Sequence, residues 1–189
     1  MKIGVLAIQG DFAAHRRALS RLGVDAIEVR READFGEIDG LIIPGGESTT
    51  MLKFITEENL SGTIERFARD GKPVFGTCAG AILLAREVKN PCQPSLALID
   101  IAVERNAYGR QVDSFIASAD VSIEGGPLEA VFIRAPKIAT VGPNVKTLAT
   151  LRGEPVLVRE ANVLAATFHP ELTLDTRAHS LFIAMAGGL

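Results

Sequence analysis

Apolar residues fall first into short, nearly continuous runs, and after each run they spread out to helical spacing. Residues 2–8 (KIGVLAI) are such a run, rich in branched side chains, and suit a strand buried on both faces. Gln9, Gly10 and Asp11 then supply a turn, with Asp11 placed to cap a helix over about residues 12–22. Gly23 fits the left-handed residue that ends such a helix, and a second strand is expected over residues 26–29. Leu41, Ile42 and Ile43 form a third run, broken by Pro44, Gly45 and Gly46. Leu60, Ile64, Phe67 and Ala68 recur at helical spacing, Val74 and Phe75 open a fourth strand ending at Gly76, and residues 79–85 have helical composition.

Strands alternating with helices imply right-handed crossovers and a mainly parallel sheet covered by helices on both faces, an α/β fold of three layers. From Ile101 the pattern changes to short branched or aromatic runs over residues 112–117, 131–134, 156–158 and 164–168, which read as added, partly antiparallel strands. Ala178, Leu181, Phe182 and Met185 predict a closing amphipathic helix, capped by Asp175 or Thr176. With 189 residues and neither repeat nor linker, one domain over residues 1–189 is expected.

Composition narrows the function classes. Hydrophobic residues make up 47% and charged residues 23%, which places the chain among globular rather than disordered sequences. The net charge of -3 lacks the basic excess that a phosphate backbone demands, so nucleic acid is not an expected partner. The first apolar run is too short to span a bilayer and lacks a cleavage site, so no membrane association is expected. Two cysteines, Cys78 and Cys92, make no disulfide framework and point to a reducing cytoplasm. Cys92, in a loop-like stretch between Pro91 and Pro94, is assigned no role. The two cysteines and three histidines form no local ligand cluster, so no metal site is expected.

The chemistry concentrates in three places. Gly76-Thr77-Cys78-Ala79-Gly80 lies between a strand and a helix, the context of a nucleophile elbow, where the helix N-terminus favours a thiolate. A free cysteine taken alone is equally well read as a small buried hydrophobe. Phe168-His169-Pro170-Glu171 brings an imidazole and a carboxylate two residues apart, on one side of an extended segment, so that Glu171 can orient His169 as a base. Taken alone, that pair reads more simply as a surface histidine and a solvated glutamate; nucleophile, base and orienter together are a more demanding coincidence. Pro44-Gly45-Gly46-Glu47-Ser48 sits at the carboxyl end of a strand, where open α/β sheets bind ligands, and its amides suit an oxyanion hole, although a tight turn into a helix explains the glycines as well. No phosphate-binding glycine pattern is present. His15 and His179, on predicted helices, read as surface or packing residues. Arg105 and Arg134 have guanidinium forks that match a carboxylate, but physics alone does not single them out.

These residues resemble the class I, or triad, glutamine amidotransferases through the G-x-C-x-G elbow and the His-Pro-Glu segment. Longer stretches are similar to the glutaminase subunits of pyridoxal 5'-phosphate synthase: residues 41–51 (LIIPGGESTTM), 76–80 (GTCAG), 104–111 (ERNAYGRQ), 132–136 (FIRAP) and 168–173 (FHPELT). The resemblance runs from the first strand to the last helix. It implies a flavodoxin-like fold, with Cys78 as nucleophile, His169 as base and Glu171 as orienter. It places L-glutamine contacts on Gly46, Glu47, Ser48, Arg105, Ile133 and Arg134, and an oxyanion hole on the amides of Gly46 and Ala79. It further implies ammonia passed through a tunnel to a synthase subunit in a large hetero-oligomer, weak activity before that partner docks, and no cofactor. Ala14 stands where relatives often carry an acidic residue, a departure that bears on the docking surface, and the loop of residues 91–95 is idiosyncratic.

Three other readings remain open: an amidotransferase serving another synthase, a regulatory module that has lost the chemistry, and a thiol protease or chaperone-like relative. The identity of the activating partner, labelling of Cys78 by a reactive glutamine analogue, and a proteolysis assay separate them.

Overall fold

The computed structural model describes residues 1–105, 114–122 and 126–187. Four of the expected runs become adjacent parallel strands: β1 (Lys2–Leu6), β3 (Gly40–Ile43), β4 (Val74–Thr77) and β12 (Val163–Ala166), with β2 (Asp25–Val29) outside β1. In β3, β4 and β12 every residue is buried, because helices cover both faces. Their side chains alternate strictly between two cores. Leu41, Ile43, Val74, Val163 and Ala165 face one side, which holds α2 (Ser48–Glu57), α3 (Leu60–Arg69) and α4 (Ala79–Leu84). Ile42, Phe75, Leu164 and Ala166 face the other, which holds α1 (Phe12–Arg21) and α5 (Arg177–Gly187).

The second half of the chain extends this sheet with antiparallel strands, as its change of pattern implies. Strand β12 pairs with β11 (Glu154–Glu160), followed outward by β10 (Lys146–Leu151), β7 (Ser114–Val121) and β8 (Leu128–Ile133), giving nine strands in the order β2-β1-β3-β4-β12-β11-β10-β7-β8. A separate three-stranded sheet, β5 (Ala85–Lys89), β6 (Ile99–Glu104) and β9 (Lys137–Val141), packs on the α2–α4 side. Although β8 is the far edge of the large sheet, it bends back toward β4 and β12. The His169 amide donates to the Val131 carbonyl at 2.8 Å, and the Cys78 thiol lies 3.9 Å from the Ile133 carbonyl.

Several expectations need correction. The helix of residues 79–85 stops at Leu84, and Ala85 already belongs to β5, whose parallel pairing with β6 overrides local helical preference. Asp11 does occupy the cap position of α1, but its side chain makes no capping hydrogen bond. At the other end of the chain, Asp175 Oδ1 accepts the Arg177 amide at 3.1 Å at the start of α5. Ala14 is 1% exposed and therefore part of the core rather than of any docking surface. Among the described residues no helix is long and apolar enough to cross a membrane.

Candidate active site

Three chain segments meet at the carboxyl ends of β3, β4 and β12. The first is the elbow. Cys78 adopts φ 49° and ψ -104°, a conformation L-residues seldom take, and this sharp turn lifts its side chain out of the β4 line at the start of α4. The Cys78 amide still donates to the Ala166 carbonyl at 2.8 Å, so the turn is tied to β12. The flanking glycines are required by close approach: a Cβ on Gly80 would stand 2.1 Å from the Ile43 carbonyl oxygen, and one on Gly76 2.6 Å from the Gly80 carbonyl.

The second segment follows β12. The two-residue spacing predicts His169 and Glu171 on one side of an extended segment. Instead Pro170–Leu172 is a single 3-10 turn, initiated by Pro170, whose fixed φ suits the first helical position. The pairing nevertheless forms: His169 Nδ1 lies 2.7 Å from Glu171 Oε1, with Glu171 4% exposed. His169 also stands beside Cys78: both line the cleft, and both lie against Gly45. Burial pulls the His169 imidazole down, but the hydrogen bonds to Cys78 and Glu171 and the charges behind them outweigh it and hold it up at about 10. Burial likewise pushes the Glu171 carboxyl up, and the opposing influence of His15 and His169 brings it below the usual carboxylate range.

The third segment is the turn after β3. The Glu47 amide donates to Gln9 Oε1 at 2.9 Å, and Asp11 N approaches the Gly45 carbonyl at 3.4 Å, so the β1–α1 turn braces this loop. The Glu47 carboxylate caps α2, accepting from the amides and hydroxyls of Thr49 and Thr50. Hydrogen bonding from the Thr49 hydroxyl, with that of Thr50, outweighs burial and lowers the carboxyl to about 2. Arg105 Nη2 reaches Glu47 Oε1 at 3.3 Å and Thr49 Oγ1 at 3.3 Å across the mouth of the site.

Between these segments lies a cleft of about 440 Å³. It is lined by the residues expected from sequence: Gly46, Glu47, Ser48 and Arg105, with Cys78, Ala79, Ile133, Arg134 and His169. Glu171 sits behind His169, outside the lining. Ile82, one turn into α4, also lines the cleft; its i+4 spacing from Cys78 was the available signal. Of the ERNAYGRQ stretch, only Glu104 and Arg105 are described; residues 106–111 lie outside the described residues, as do residues 112–113 of the strand expected there.

Of the two readings of His15 and His179, surface or packing, the structure rules out the surface one. Both are fully buried. His15 Nδ1 lies 3.0 Å from His179 Nε2, while His15 Nε2 lies 3.1 Å from Thr77 Oγ1 and 3.3 Å from Glu171 Oε2. Burial depresses both imidazoles, His179 to about 3. The signal for His15 was its position on the stripe shared with Ala18 and Leu19 on α1. Cys92 is exposed and unpaired. Among the described residues no group of His, Cys, Asp or Glu is arranged to hold a metal ion.

Comparison with known proteins identifies the family. A chain described as pyridoxal 5'-phosphate synthase subunit PdxT from Koribacter versatilis is 56% identical over 185 residues, covering 98% of this chain and 95% of its own. Its namesake from Thermosipho africanus is 55% identical, covering 98% of both chains. A crystal structure of a glutamine amidotransferase superposes with a TM-score of 0.92 at 48% identity, covering 98% of each chain. PurLQS from Thermotoga maritima, at 14% identity and a TM-score of 0.70, covering 96% of this chain and 97% of its own, shares the fold. The sequence model of the SNO glutamine amidotransferase family matches residues 5–187, and the chain belongs to that family.

Proposed function

We propose that the protein hydrolyses L-glutamine to L-glutamate and ammonia, and that the ammonia feeds a pyridoxal 5'-phosphate synthase subunit. The observation that carries this reading is His169 set beside Cys78 at the cleft wall and held from behind by Glu171, in a family of glutamine amidotransferases. The Cys78 thiolate attacks the side-chain amide carbon of glutamine. The amides of Gly46 and Ala79 stabilise the oxyanion, each such donor being worth about 3 kcal/mol of barrier. The tetrahedral intermediate then collapses: the C–N bond breaks, His169 gives its proton to the departing nitrogen, and a glutamyl thioester remains. His169, now neutral, takes a proton from water, which attacks the thioester and releases glutamate and the Cys78 thiolate. Glu171 holds the imidazole in register throughout. Arg105 and Arg134, with Glu47, Ser48 and Ile133, hold the amino-acid end of the substrate; Arg105 exchanges its Glu47 contact for the substrate carboxylate.

The partner rests on the names of relatives that match along nearly their whole length. Assembly with that synthase in a hetero-oligomer, and direct transfer of ammonia within it, belong to the same proposal. Two unpaired cysteines, one of them exposed, fit residence in a reducing cytoplasm. The test is ammonia release by the purified chain with and without a pyridoxal 5'-phosphate synthase subunit. Stimulation by the subunit is expected; a chain silent toward glutamine in both conditions overturns the reading.

The raised His169 also sets the pH dependence. Its protonated form persists through neutral pH and is lost as pH rises through about 10, so ammonia release should hold across the neutral range and fall on a basic limb near that value. Initial rates followed from neutral pH to beyond 10 check this; a basic limb near neutrality contradicts it.

A further inference from the structure

All three histidines of the chain, His15, His169 and His179, lie in one buried line that ends at Cys78. The chemistry above uses only His169. Glu171 Oε1 is taken by His169, while Glu171 Oε2 is buried, has no well-aligned hydrogen bond, and faces His15 Nε2 at 3.3 Å. A bare nitrogen there would set a lone pair against a carboxylate oxygen, so this nitrogen must carry the proton. Its N–H points chiefly at Thr77 Oγ1, 3.1 Å away, and presents its positive end to Glu171 Oε2 as well. His15 Nδ1 is then a bare acceptor, and the group 3.0 Å from it, His179 Nε2, must be the donor. His179 Nδ1 has no partner and is consistent with a bare nitrogen, since a buried N–H left unpaired is the rarer case.

We propose that His15 is a positioning residue for the Glu171–His169 pair, presenting an Nε2–H to the second carboxylate oxygen, and that His179 fixes the tautomer of His15 that allows it. The proposal rests on the glutaminase reading for its purpose, though its geometry stands apart from it. The groups facing His15 are Glu171 and Asp11, which favour its charge, and His169, which opposes it; burial outweighs them and keeps His15 neutral. His179 faces His15, Glu171 and Arg21, and is likewise held neutral by burial. Two neutral rings, each with one proton, are what the directional line from His179 to Glu171 requires. The line also joins α1 and α5 to the 3-10 turn, so the orientation of Glu171 is set by the two ends of the chain.

Nitrogen NMR of the unsubstituted protein is the first test, because the chain has only three histidines to assign. His15 and His179 should both be neutral and protonated at Nε2 through the neutral range. A proton found on His15 Nδ1, or a charged His15 ring, overturns the proposal without any substitution. The second test compares His15→Leu, which removes the donor, with His15→Gln, which returns an amide N–H to a similar place. In His15→Leu, Glu171 loses its facing donor and protonates more readily. The acid limb of Cys78 alkylation by iodoacetamide should then rise by about one pH unit. The kcat for ammonia release should fall about tenfold with KM unchanged. His15→Gln should restore most of both. If a folded His15→Leu releases ammonia with an unmoved alkylation profile, the proposal fails and the glutaminase reading survives. If alkylation shifts while the unsubstituted chain never acts on glutamine, the glutaminase reading fails and the positioning role stands.

Discussion

Replacing Cys78 with alanine is expected to cut ammonia release from glutamine by at least about a thousandfold, even with the synthase subunit present. The thiolate is the only nucleophile the proposed mechanism offers, and the thioester has no counterpart without it. The fold should survive. Alanine keeps the Cβ, so the strained turn at φ 49° is no more strained than before, and one sulfur atom at the wall of an open cleft leaves little cavity. His169 supplies an internal check. Hydrogen bonding to Cys78 is the leading influence opposing burial at that imidazole, so His169 in Cys78→Ala should titrate well below about 10. Ammonia assays and histidine NMR on the same sample separate loss of chemistry from loss of structure. A Cys78→Ala protein that releases ammonia at the unsubstituted rate would remove the nucleophile from this account.

The second large effect comes from a residue with no functional group. A Cβ on Gly45 would stand 2.4 Å from His169 Cε1, 3.1 Å from His169 Nδ1 and 3.3 Å from the Cys78 Cβ. The first distance is about 1 Å short of ordinary van der Waals contact, and His169 cannot retreat freely, because Glu171 holds its Nδ1 at 2.7 Å. Either the imidazole moves off Cys78 or the loop after β3 moves off the cleft. A displacement of about 1 Å in such a constellation costs on the order of a hundredfold in rate. Gly45→Ala should therefore lose about that much kcat, together with the alkylation reactivity of Cys78. The accompanying destabilisation should be of the size usual for overpacking, about 1–3 kcal/mol. Rates in Gly45→Ala indistinguishable from the unsubstituted protein would show that the loop accommodates the methyl without touching His169.

The legible parts of the fold are those whose pattern is forced by burial on two sides. Strands β1, β3, β4 and β12 read as strands because helices cover both faces and leave no room for polar residues. Strands β5, β6, β9 and β10 are not marked by the sequence pattern. Their exposed or half-exposed positions admit Arg, Lys, Glu and Thr, and AREVK at β5 follows α4 without a turn residue to mark the change. Their strand character comes from partners far along the chain, as where Lys146 to Leu151 pairs with β11 and β7. The same division holds at the site. Of the cleft-lining residues among those described, Gly46, Glu47, Ser48, Cys78, Ala79 and His169 lie within motifs with a chemical reason for their spacing, whereas Arg105, Ile133 and Arg134 are legible only through the family resemblance. His15 and His179 fall in neither group, since helical periodicity can reveal that a position is buried but not that a second ring, 164 residues away, will meet it.

The return of β8 toward β4 and β12 also governs when the thiol becomes usable during synthesis. The elbow, β1, β3 and β4 are all made within the first 80 residues, yet two groups around Cys78, the Ile133 carbonyl and His169, come much later. The Val131 carbonyl that anchors His169 lies on the far edge of the sheet, and His179 is carried by the closing helix. A nascent chain that has formed only its first parallel strands therefore exposes a cysteine with neither base nor carboxylate behind it. Translation must pass Glu171 before that cysteine has its base and its carboxylate, so a product truncated before His169 is expected to be chemically quiet toward amides.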